Sequence, residues 1–231
     1  MSCGSRSRAL TSKYRRAGRF TMVFAEGTLT FKEFAVKEPL PLATIQEAVL
    51  EFLQGRDDAV VYGAQAVNAY VDEPRMTQDV DILSTRAREL ADELREYMHA
   101  RFQISVRVRV IKDGLGFRLY QVRKPRNRHL VDVRLVEQLP PSKRIARVLV
   151  MTPDVLVASK VVALHHRRGK PKAGTDWRDI AVLLLAFPHL KKHPGPVTKH
   201  LIASSADGSV LDTWKDLVSQ ELSAEEEDEH F

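Results

Sequence analysis

One stretch of the sequence, Val60 to Ser84, constrains the fold and chemistry of this chain more than any other. It reads VVYGAQAVNAYVDEPRMTQDVDILS: an apolar run ends at Gly63, a helix-like segment follows, and a second apolar run carries Asp79 and Asp81. Alternate residues of a strand project from the same face, so both carboxylates are predicted to point the same way. Carboxylate oxygens in that arrangement suit a hard divalent cation such as Mg2+. An Asp pair that only caps a turn at a strand end is the alternative.

The turn at Gly63 leads into a helix at Ala64, and the backbone amides at a helix N-terminus favour phosphate. A tight strand-to-helix turn that needs only the conformational freedom of glycine is the structural alternative. Arg75 and Thr77, which precede the aspartates, are candidates either for contacting phosphate or for ordering the loop. A phosphate cradle followed by metal carboxylates is the layout that nucleotidyl transfer needs, so this stretch predicts a site for that chemistry.

A third acid, Asp132, interrupts the apolar segment from Leu130 to Val136. A charge inside a buried strand is costly unless it is paired or bound to a metal. On a strand next to the first two aspartates, it would complete a two-metal site in which one metal activates the attacking hydroxyl and the other holds a triphosphate. The alternative is a solvent-facing carboxylate beside Arg134 on a half-buried strand.

The later part of the chain adds a lysine and two more acids. Lys160 lies on a predicted helix of mainly apolar residues, where it can reach phosphate groups or extend along the surface into solvent. Asp176 and Asp179 are three residues apart and share a helix face. Since they follow a predicted N-cap at Thr175, the helix dipole accounts for at least one of them. The basic loop RRGKPKAG, residues 167–174, precedes this helix.

Composition and charge narrow the class of protein. Hydrophobic residues make up 44% of the chain and charged residues 29%, and no apolar run approaches the roughly 18 residues of a membrane helix, so we expect no membrane span. Cys3, the single cysteine, excludes an internal disulfide and fits a reducing cytoplasm. The segment from Glu221 to Phe231 holds six acids and no Lys or Arg, so a net charge of +6 becomes +12 for the rest. Such a basic body favours nucleic acid as a partner; a balance that serves solubility alone is the alternative.

The order of the predicted elements divides the chain into four parts. Residues 1–20 are rich in Ser, Arg and Gly, lack the apolar core of a signal peptide, and predict a disordered basic arm, with a transit peptide as the alternative. Residues 21–151 predict a mixed α/β core that begins with a hairpin and ends with a strand from Ile145 to Met151. Residues 152–220 predict a helical C-terminal half, and 221–231 an acidic disordered tail. We expect a cleft between the two halves.

Three blocks of the sequence, GAQAVNAYVDEPRMTQDVDIL, VDV and SKVVALHHRRGKPKAGTDWRDIAVLL, resemble the AbiEii-type (MenT-type) nucleotidyltransferases of type IV toxin–antitoxin systems, within the polymerase-β-like superfamily. That family shows Gly-Gly or Gly-Ser before a helix, then Arg-x-Thr-x-Asp-x-Asp, a lone Asp on a later strand, a helical Lys, and Thr-Asp-x-x-Asp. The resemblance spans roughly residues 59–185. It implies an α+β fold in which a mixed sheet with flanking helices is followed by an α-helical C-terminal half.

The resemblance carries roles to particular positions. Asp79 and Asp81 would bind Mg2+, for which Mn2+ can substitute, and Asp132 would position or deprotonate the acceptor hydroxyl. The backbone of Gly63 and Ala64 would hold the triphosphate of an NTP. With the positions singled out above, the predicted metal ligands are Asp79, Asp81 and Asp132; the predicted nucleotide-binding residues are Gly63, Ala64, Arg75, Thr77 and Lys160; and the predicted catalytic residues are Asp79, Asp81, Asp132, Lys160 and Asp176.

The resemblance implies an enzyme that moves a nucleoside monophosphate from an NTP to an acceptor hydroxyl and releases pyrophosphate. The family includes toxins of toxin–antitoxin or phage-defence systems, some of which extend the 3′ end of tRNA, so an RNA acceptor and a cognate antitoxin protein are the expected partners. A protein side chain or an aminoglycoside-like alcohol is the alternative acceptor. The family usually has Gly or Ser where this chain has Ala64, and the missing hydroxyl leaves open a silent nucleotide- or RNA-binding module.

Overall fold

The computed structural model describes residues 40–223. The predicted basic arm, the N-terminal hairpin and nearly all of the predicted acidic tail lie outside these described residues. Between residues 40 and 223, every helix falls short of the length and apolar character that crossing a membrane requires.

A seven-stranded mixed sheet organises the described residues, and seven α-helices and two short 3-10 helices accompany it there. The strands are β1 (Ala59–Tyr62), β2 (Val80–Ser84), β3 (Val106–Ile111), β4 (Gly116–Gln121), β5 (Arg128–Leu135), β6 (Ser142–Ile145) and β7 (Val148–Met151). The α-helices are α1 (Leu42–Leu53), α2 (Gly63–Asn68), α3 (Ala87–Phe102), α4 (Pro153–His166), α5 (Pro171–Ala186), α6 (Pro196–Ala203) and α7 (Gly208–Ser219), and the 3-10 helices span Lys112–Gly114 and Pro188–Leu190.

The strands lie in the order β3-β4-β5-β2-β1-β7-β6. The pairs β2/β5 and β1/β7 are parallel, and the other four neighbouring pairs are antiparallel. After β7 the described chain is helical, with α4 packed against α5, α6 and α7. The predicted α+β fold, with a mixed sheet, flanking helices and a helical C-terminal half, is confirmed. The division of the chain into units at residue 151 stays a prediction.

The two faces of the sheet differ in chemistry. Ile82, Val133 and Leu119 are fully buried and belong to the same core cluster as Leu90 and Leu94 of α3, which packs against β3, β4 and β5. Because side chains alternate along a strand, the residues between them point to the opposite face. That opposite face, which we call the carboxylate face, carries the aspartates of β2 and β5.

The predicted single strand from Ile145 to Met151 is wrong, because the chain forms a hairpin there. Ile145 ends β6, and Ala146 and Arg147 turn the chain with φ of 45° and 69° before β7 begins at Val148. Two-residue hairpin turns with positive φ favour Asn-Gly or similar pairs, so Ala-Arg gives no local signal. A tertiary contact supports the turn instead, since the backbone N–H of Gly55 donates to the carbonyl oxygen of Arg147 at 3.0 Å.

The predicted start of α5 is also wrong. The helix begins at Pro171 with Lys170 as the N-cap residue, so Thr175 lies within its second turn rather than at its cap. Proline suits the first helical position because its fixed φ is compatible with a helix and that position needs no amide donor. Half of the predicted basic loop is therefore helical, and Asp176 lies within the helix.

Candidate active site

The structure brings the three predicted metal carboxylates together on the carboxylate face. Asp81 of β2 and Asp132 of β5 are register partners on neighbouring parallel strands, so their backbones are about 4.8 Å apart. Asp79 lies just before β2, two residues ahead of Asp81, and points to the same side. The two aspartates spaced i, i+2 and the lone acid of the later strand therefore lie on one surface.

A β-bulge in β5 adds a histidine to this surface. Asp132 pairs with Arg118 of β4 and Val131 pairs with Leu119, but His129 pairs with Tyr120, so Leu130 is one residue in excess. An extra residue of this kind shifts the alternation of side chains along the bulged strand. His129 consequently lies on the same face as Asp132, three residues away from it.

Asp132 is fixed by two cationic side chains. Arg118 donates to it in a bidentate pair from Nε at 2.9 Å and Nη2 at 2.8 Å, and His129 Nε2 lies 2.9 Å from its Oδ1. The other ring nitrogen of His129, Nδ1, lies 3.0 Å from Asp79 Oδ2. Asp132 and Asp79 raise the pKa of His129 to about 9, so the ring is an imidazolium at neutral pH and bridges the two carboxylates.

The same contacts keep two of the three aspartates ionised. Burial opposes the charge on Asp132, but the hydrogen bonds from Arg118 and His129 outweigh it and hold the pKa of Asp132 well below its usual range. The hydrogen bond from His129 likewise lowers the pKa of Asp79. Both carboxylates are therefore in the charged form that binds a cation or accepts a hydrogen bond.

Asp81 differs from its neighbours because no hydrogen bond or ion pair reaches its carboxylate from any residue between 40 and 223. Burial, followed by the nearby charge of Asp79, raises the pKa of Asp81. Gly63 lies directly against it: a Cβ at Gly63 would approach Asp81 Oδ2 to 2.3 Å, and the φ of Gly63 is +71°. Only glycine allows the start of α2 to come this close to the carboxylate.

These groups fit a divalent cation. Carboxylate oxygens of Asp79 and Asp132 lie within 4.8 Å of each other, with the His129 ring between them, and the partly buried carboxylate of Asp81 forms no ion pair with any residue between 40 and 223. Carboxylate oxygens are the ligands that Mg2+ and Mn2+ prefer. A cation placed among them would neutralise the charge of Asp81, which Arg134 and Lys160 offset only from a distance.

A second group of charged residues, which we call the ion cluster, lies between α4, α5 and the loop before β2. Lys160 Nζ lies 2.6 Å from Asp179 Oδ2 and 3.6 Å from Asp176 Oδ1. Arg75 donates to Asp179 in a bidentate pair at 2.8 and 2.9 Å, and Arg167 Nη1 lies 2.7 Å from Asp176 Oδ2. Although burial opposes the charge of Asp179, its hydrogen bonds with Arg75 and Lys160 lower its pKa. Three cations face two carboxylates, which leaves one positive charge in excess beside the carboxylate face.

Thr77 and Arg75 make the contacts of residues that order the loop between α2 and β2. The Thr77 hydroxyl is buried and accepts hydrogen bonds from the side-chain amides of Gln46 at 3.0 Å and Gln65 at 2.8 Å. The Asn68 side chain bonds both the N–H and the carbonyl oxygen of Arg75. Of the two interpretations of these residues from the sequence, loop ordering is the one that their contacts support.

Four residues near the site were missed as site residues by sequence reasoning. Arg118 was not singled out, because its pairing with Asp132 depends on a strand register that local sequence does not give. His129 was missed because the bulge places it on the same face as Asp132, which plain alternation along the strand does not predict. Asp179 was noted with Asp176 and was open to explanation by the helix dipole. Tyr62 is the register partner of Asp81, and its buried hydroxyl has no hydrogen-bond partner among residues 40–223, so burial raises its pKa.

Comparison with known proteins gives the chain a family. Residues 47–194, more than half of the chain, match the family described as the nucleotidyl transferase AbiEii toxin of type IV toxin–antitoxin systems. No curated protein matches the chain.

Several solved structures align with the chain. The Megavirus polyadenylate synthase aligns with a TM-score of 0.52 at 13% identity, over 64% of this chain and 32% of that one, so the chain spans about a third of that enzyme. JHP933 from Helicobacter pylori aligns with a TM-score of 0.48 at 11% identity, over 83% and 90% of the two chains. The antibiotic-resistance factor ANT(2'')-Ia aligns with a TM-score of 0.46 at 13% identity, over 76% and 95%. At 13% identity the likeness to the Megavirus enzyme concerns the fold alone.

Proposed function

Since the chain belongs to the AbiEii family of nucleotidyl transferases, we propose that it transfers a nucleoside monophosphate from an NTP to the 3′-terminal hydroxyl of an RNA, with tRNA as the first candidate. Nucleotidyl transfer itself follows from the family, and the resemblance drawn from the sequence is confirmed. The RNA acceptor, the divalent metal, a cognate antitoxin and the roles of individual residues are the proposal.

One observation carries the proposal: Asp81 is a partly buried carboxylate that forms no ion pair with the described residues, in register with Asp132 and in contact with Gly63. Leaving a charge in this state is unfavourable unless a ligand neutralises it. Mg2+, held by Asp79, Asp81 and Asp132, would supply that neutralisation and would polarise the phosphate and the acceptor hydroxyl.

The remaining groups around Asp81 suit a triphosphate. The backbone amides of Gly63 and Ala64 open α2 directly beside the carboxylate, where amide donors favour phosphate oxygens. Lys160 carries three N–H donors, of which one is bonded to Asp179, and its ammonium group lies 3.6 Å from Asp176, so a donor remains for a phosphate without breaking the ion cluster. The excess positive charge of that cluster favours the same ligand.

Arg118 and His129 prepare Asp132 for the acceptor. Their hydrogen bonds restrain the carboxylate, so it does not have to be ordered when the acceptor hydroxyl arrives. A nucleic-acid acceptor is favoured by the net charge of +12 that the chain carries without its acidic end segment.

The test is transfer of label from each of the four α-labelled NTPs to bulk tRNA in the presence of Mg2+, read on a denaturing gel. We expect the wild type to label tRNA with at least one NTP, and the variant with both Asp79→Ala and Asp81→Ala to lose labelling. The matched control carries Asp212→Ala and Asp216→Ala, which remove the same charge from exposed positions on α7 and should label as the wild type does. Equal labelling by the Asp79→Ala, Asp81→Ala variant would contradict the assigned site.

A further inference from the structure

A single row of paired residues connects the carboxylates to the edge of the sheet. Asp81 pairs with Asp132, Asp132 with Arg118, and Arg118 with Arg109 of β3. Register partners point to the same side of a sheet, so this row lies entirely on the carboxylate face. It crosses three strand spacings of about 4.8 Å, or about 14 Å, from Asp81 to the edge strand.

The neighbouring row runs parallel to the first and adds an aromatic ring. Arg107 of β3 pairs with Tyr120 of β4, and Tyr120 pairs with His129 across the bulge. Arg107 and Arg109 are exposed on the edge strand, and Tyr120 is half-buried between the two arginines and the site. We call the surface formed by Arg107, Arg109, Arg118 and Tyr120 the basic platform.

The basic platform faces away from the helix that covers these strands. The buried residues of β3 and β4, such as Val106 and Leu119, alternate with platform residues and belong to the core cluster that includes α3. The side chain of Arg118 remains 43% exposed although it is paired with Asp132. The platform is therefore accessible to a ligand at the point where it meets the active site.

The charge and aromatic content of the basic platform favour a nucleic-acid acceptor over a small cationic one. Arginines spaced at strand intervals with an aromatic ring beside them are the features that hold a single-stranded nucleic acid, because the cations follow the phosphates and the ring stacks on a base. A small polycationic alcohol would be repelled by the same arginines. The row leads from the edge strand to Asp132 and Asp81, so an RNA strand lying along it would bring its terminal hydroxyl to the carboxylates.

We propose that the basic platform binds the single-stranded 3′ end of the acceptor RNA and directs it toward Asp132. This inference rests on the proposed transfer to RNA and names the surface that receives the acceptor.

The test measures binding of a fluorescently labelled single-stranded RNA of twelve nucleotides ending in CCA, by anisotropy over a series of salt concentrations, with about 12 nucleotides chosen to match the site sizes of single-strand binders. The variant combines Arg107→Gln with Arg109→Gln. The control combines Lys143→Gln with Lys199→Gln, two exposed lysines on β6 at the opposite edge and on α6. Circular dichroism checks the fold of each protein.

We expect the Arg107→Gln, Arg109→Gln variant to bind at least about tenfold more weakly at low salt. The slope of log affinity against log salt should flatten by about 1.4, because each lost phosphate contact removes about 0.7. Tyr120→Leu should weaken binding by about tenfold through lost stacking, with the slope kept. The lysine control should match the wild type.

Two outcomes would overturn the inference and are distinct from failure of the proposed function. Equal losses in the arginine variant and the lysine control would mean that charge acts without a specific surface. Full RNA labelling by the folded arginine variant at subsaturating RNA would leave transfer to RNA standing and remove the platform from it. Failure of the wild type to label RNA would instead refute the proposed function.

Discussion

The carboxylate face and the ion cluster both hold acids away from bulk water, but they differ in how the charge is balanced. In the ion cluster, Asp179 is fully buried and receives Arg75 and Lys160 at 2.6 to 2.9 Å. On the carboxylate face, Asp132 is paired but Asp81 has no cation partner within the described part of the chain. The first region is balanced within the protein, whereas the proposed function has the second completed by a metal ion.

The difference separates two uses of buried charge. A pair that is complete within the protein joins elements, as Asp179 joins α4, α5 and the loop that leads to β2. A charge that is left without a partner is costly in the free protein, and the same cost becomes binding free energy when a cation arrives. Substitutions in the two regions should therefore have opposite effects on stability and on ligand binding.

The largest expected effect is on stability, from Asp179→Ala in the ion cluster. Removing the carboxylate leaves Lys160 buried and Arg75 without its bidentate partner, and breaking a buried pair in this way costs about 3–5 kcal/mol of unfolding free energy. Urea denaturation measures it. Asp216→Ala, at an exposed position on α7, should stay within about 0.5 kcal/mol of the wild type. A loss of similar size in both variants would show that the ion cluster does not join the elements.

The next effect is a change in unfolding free energy from a substitution on the carboxylate face, and its sign is opposite to that expected for Asp179→Ala. Without metal, Asp81→Asn should be as stable as the wild type or more stable, because it removes an unpaired, partly buried charge. Mg2+ at about 100 times its dissociation constant should stabilise the wild type by about 2.7 kcal/mol, since it binds the folded state alone, and should stabilise Asp81→Asn far less. Urea denaturation with and without MgCl2 at matched ionic strength measures both. An unchanged gain in the variant would place the metal elsewhere.

The third effect is a dependence of the unfolding free energy on pH that is expected for the ion cluster. The pKa of Asp179 is lower in the folded protein than its ordinary value of 3.8, so its charged form stabilises the fold above that pH. This contribution is lost as the pH falls through the folded-state pKa. The difference in unfolding free energy between the wild type and Asp179→Asn should be constant above about pH 5 and shrink below about pH 4. Asp216→Asn should follow the wild-type curve, and a gap that persists in acid would contradict the ion-pair explanation.

The smallest effect concerns the turn beside Asp81. Ala64→Ser adds a hydroxyl at the start of α2, and one hydrogen bond to phosphate is worth about 1 kcal/mol, or about fivefold tighter NTP binding. Calorimetry with Mg-NTP measures the affinity. Ala64→Cys adds a side-chain atom of similar position without a comparable donor, so it should bind as the wild type does. Equal affinities for the Ser and Cys variants would show that the hydroxyl contacts no phosphate.

The parts of the site that depend on local spacing were predictable from sequence. Asp79 and Asp81 share a face because strands alternate, and Gly63 stands where an apolar strand turns into a helix. Asp132 and Lys160 were singled out from an acid in an apolar strand and a lysine on an apolar helix, and the resemblance added their family roles. Their contacts could be identified only from the structure. Lys160 of α4 donates to Asp179 of α5 at 2.6 Å, and this contact depends on how the two helices pack.

The features that sequence reasoning missed share a physical origin in non-local pairing. Arg118 meets Asp132 only because β4 and β5 take one register among several that their apolar residues permit. The turn at Ala146 and Arg147 adopts positive φ, and a hydrogen bond from Gly55 supports it. The turn itself contains no glycine, so its sequence does not predict it. In both cases the deciding contact comes from a distant part of the chain.

The extra residue at Leu130 has a consequence for how chains of this kind are compared. Before it, odd-numbered positions such as His129 face the carboxylates; after it, even-numbered positions such as Asp132 do. The bulge accommodates the additional residue by shifting the alternation of side chains by one position, while the pairing with β4 continues on both sides of it. A chain without Leu130 would read His-Val-Asp, and the pair would be visible in plain alternation. Aligning β5 by residue count alone with a strand that lacks the bulge would therefore set the wrong side chain beside the active site.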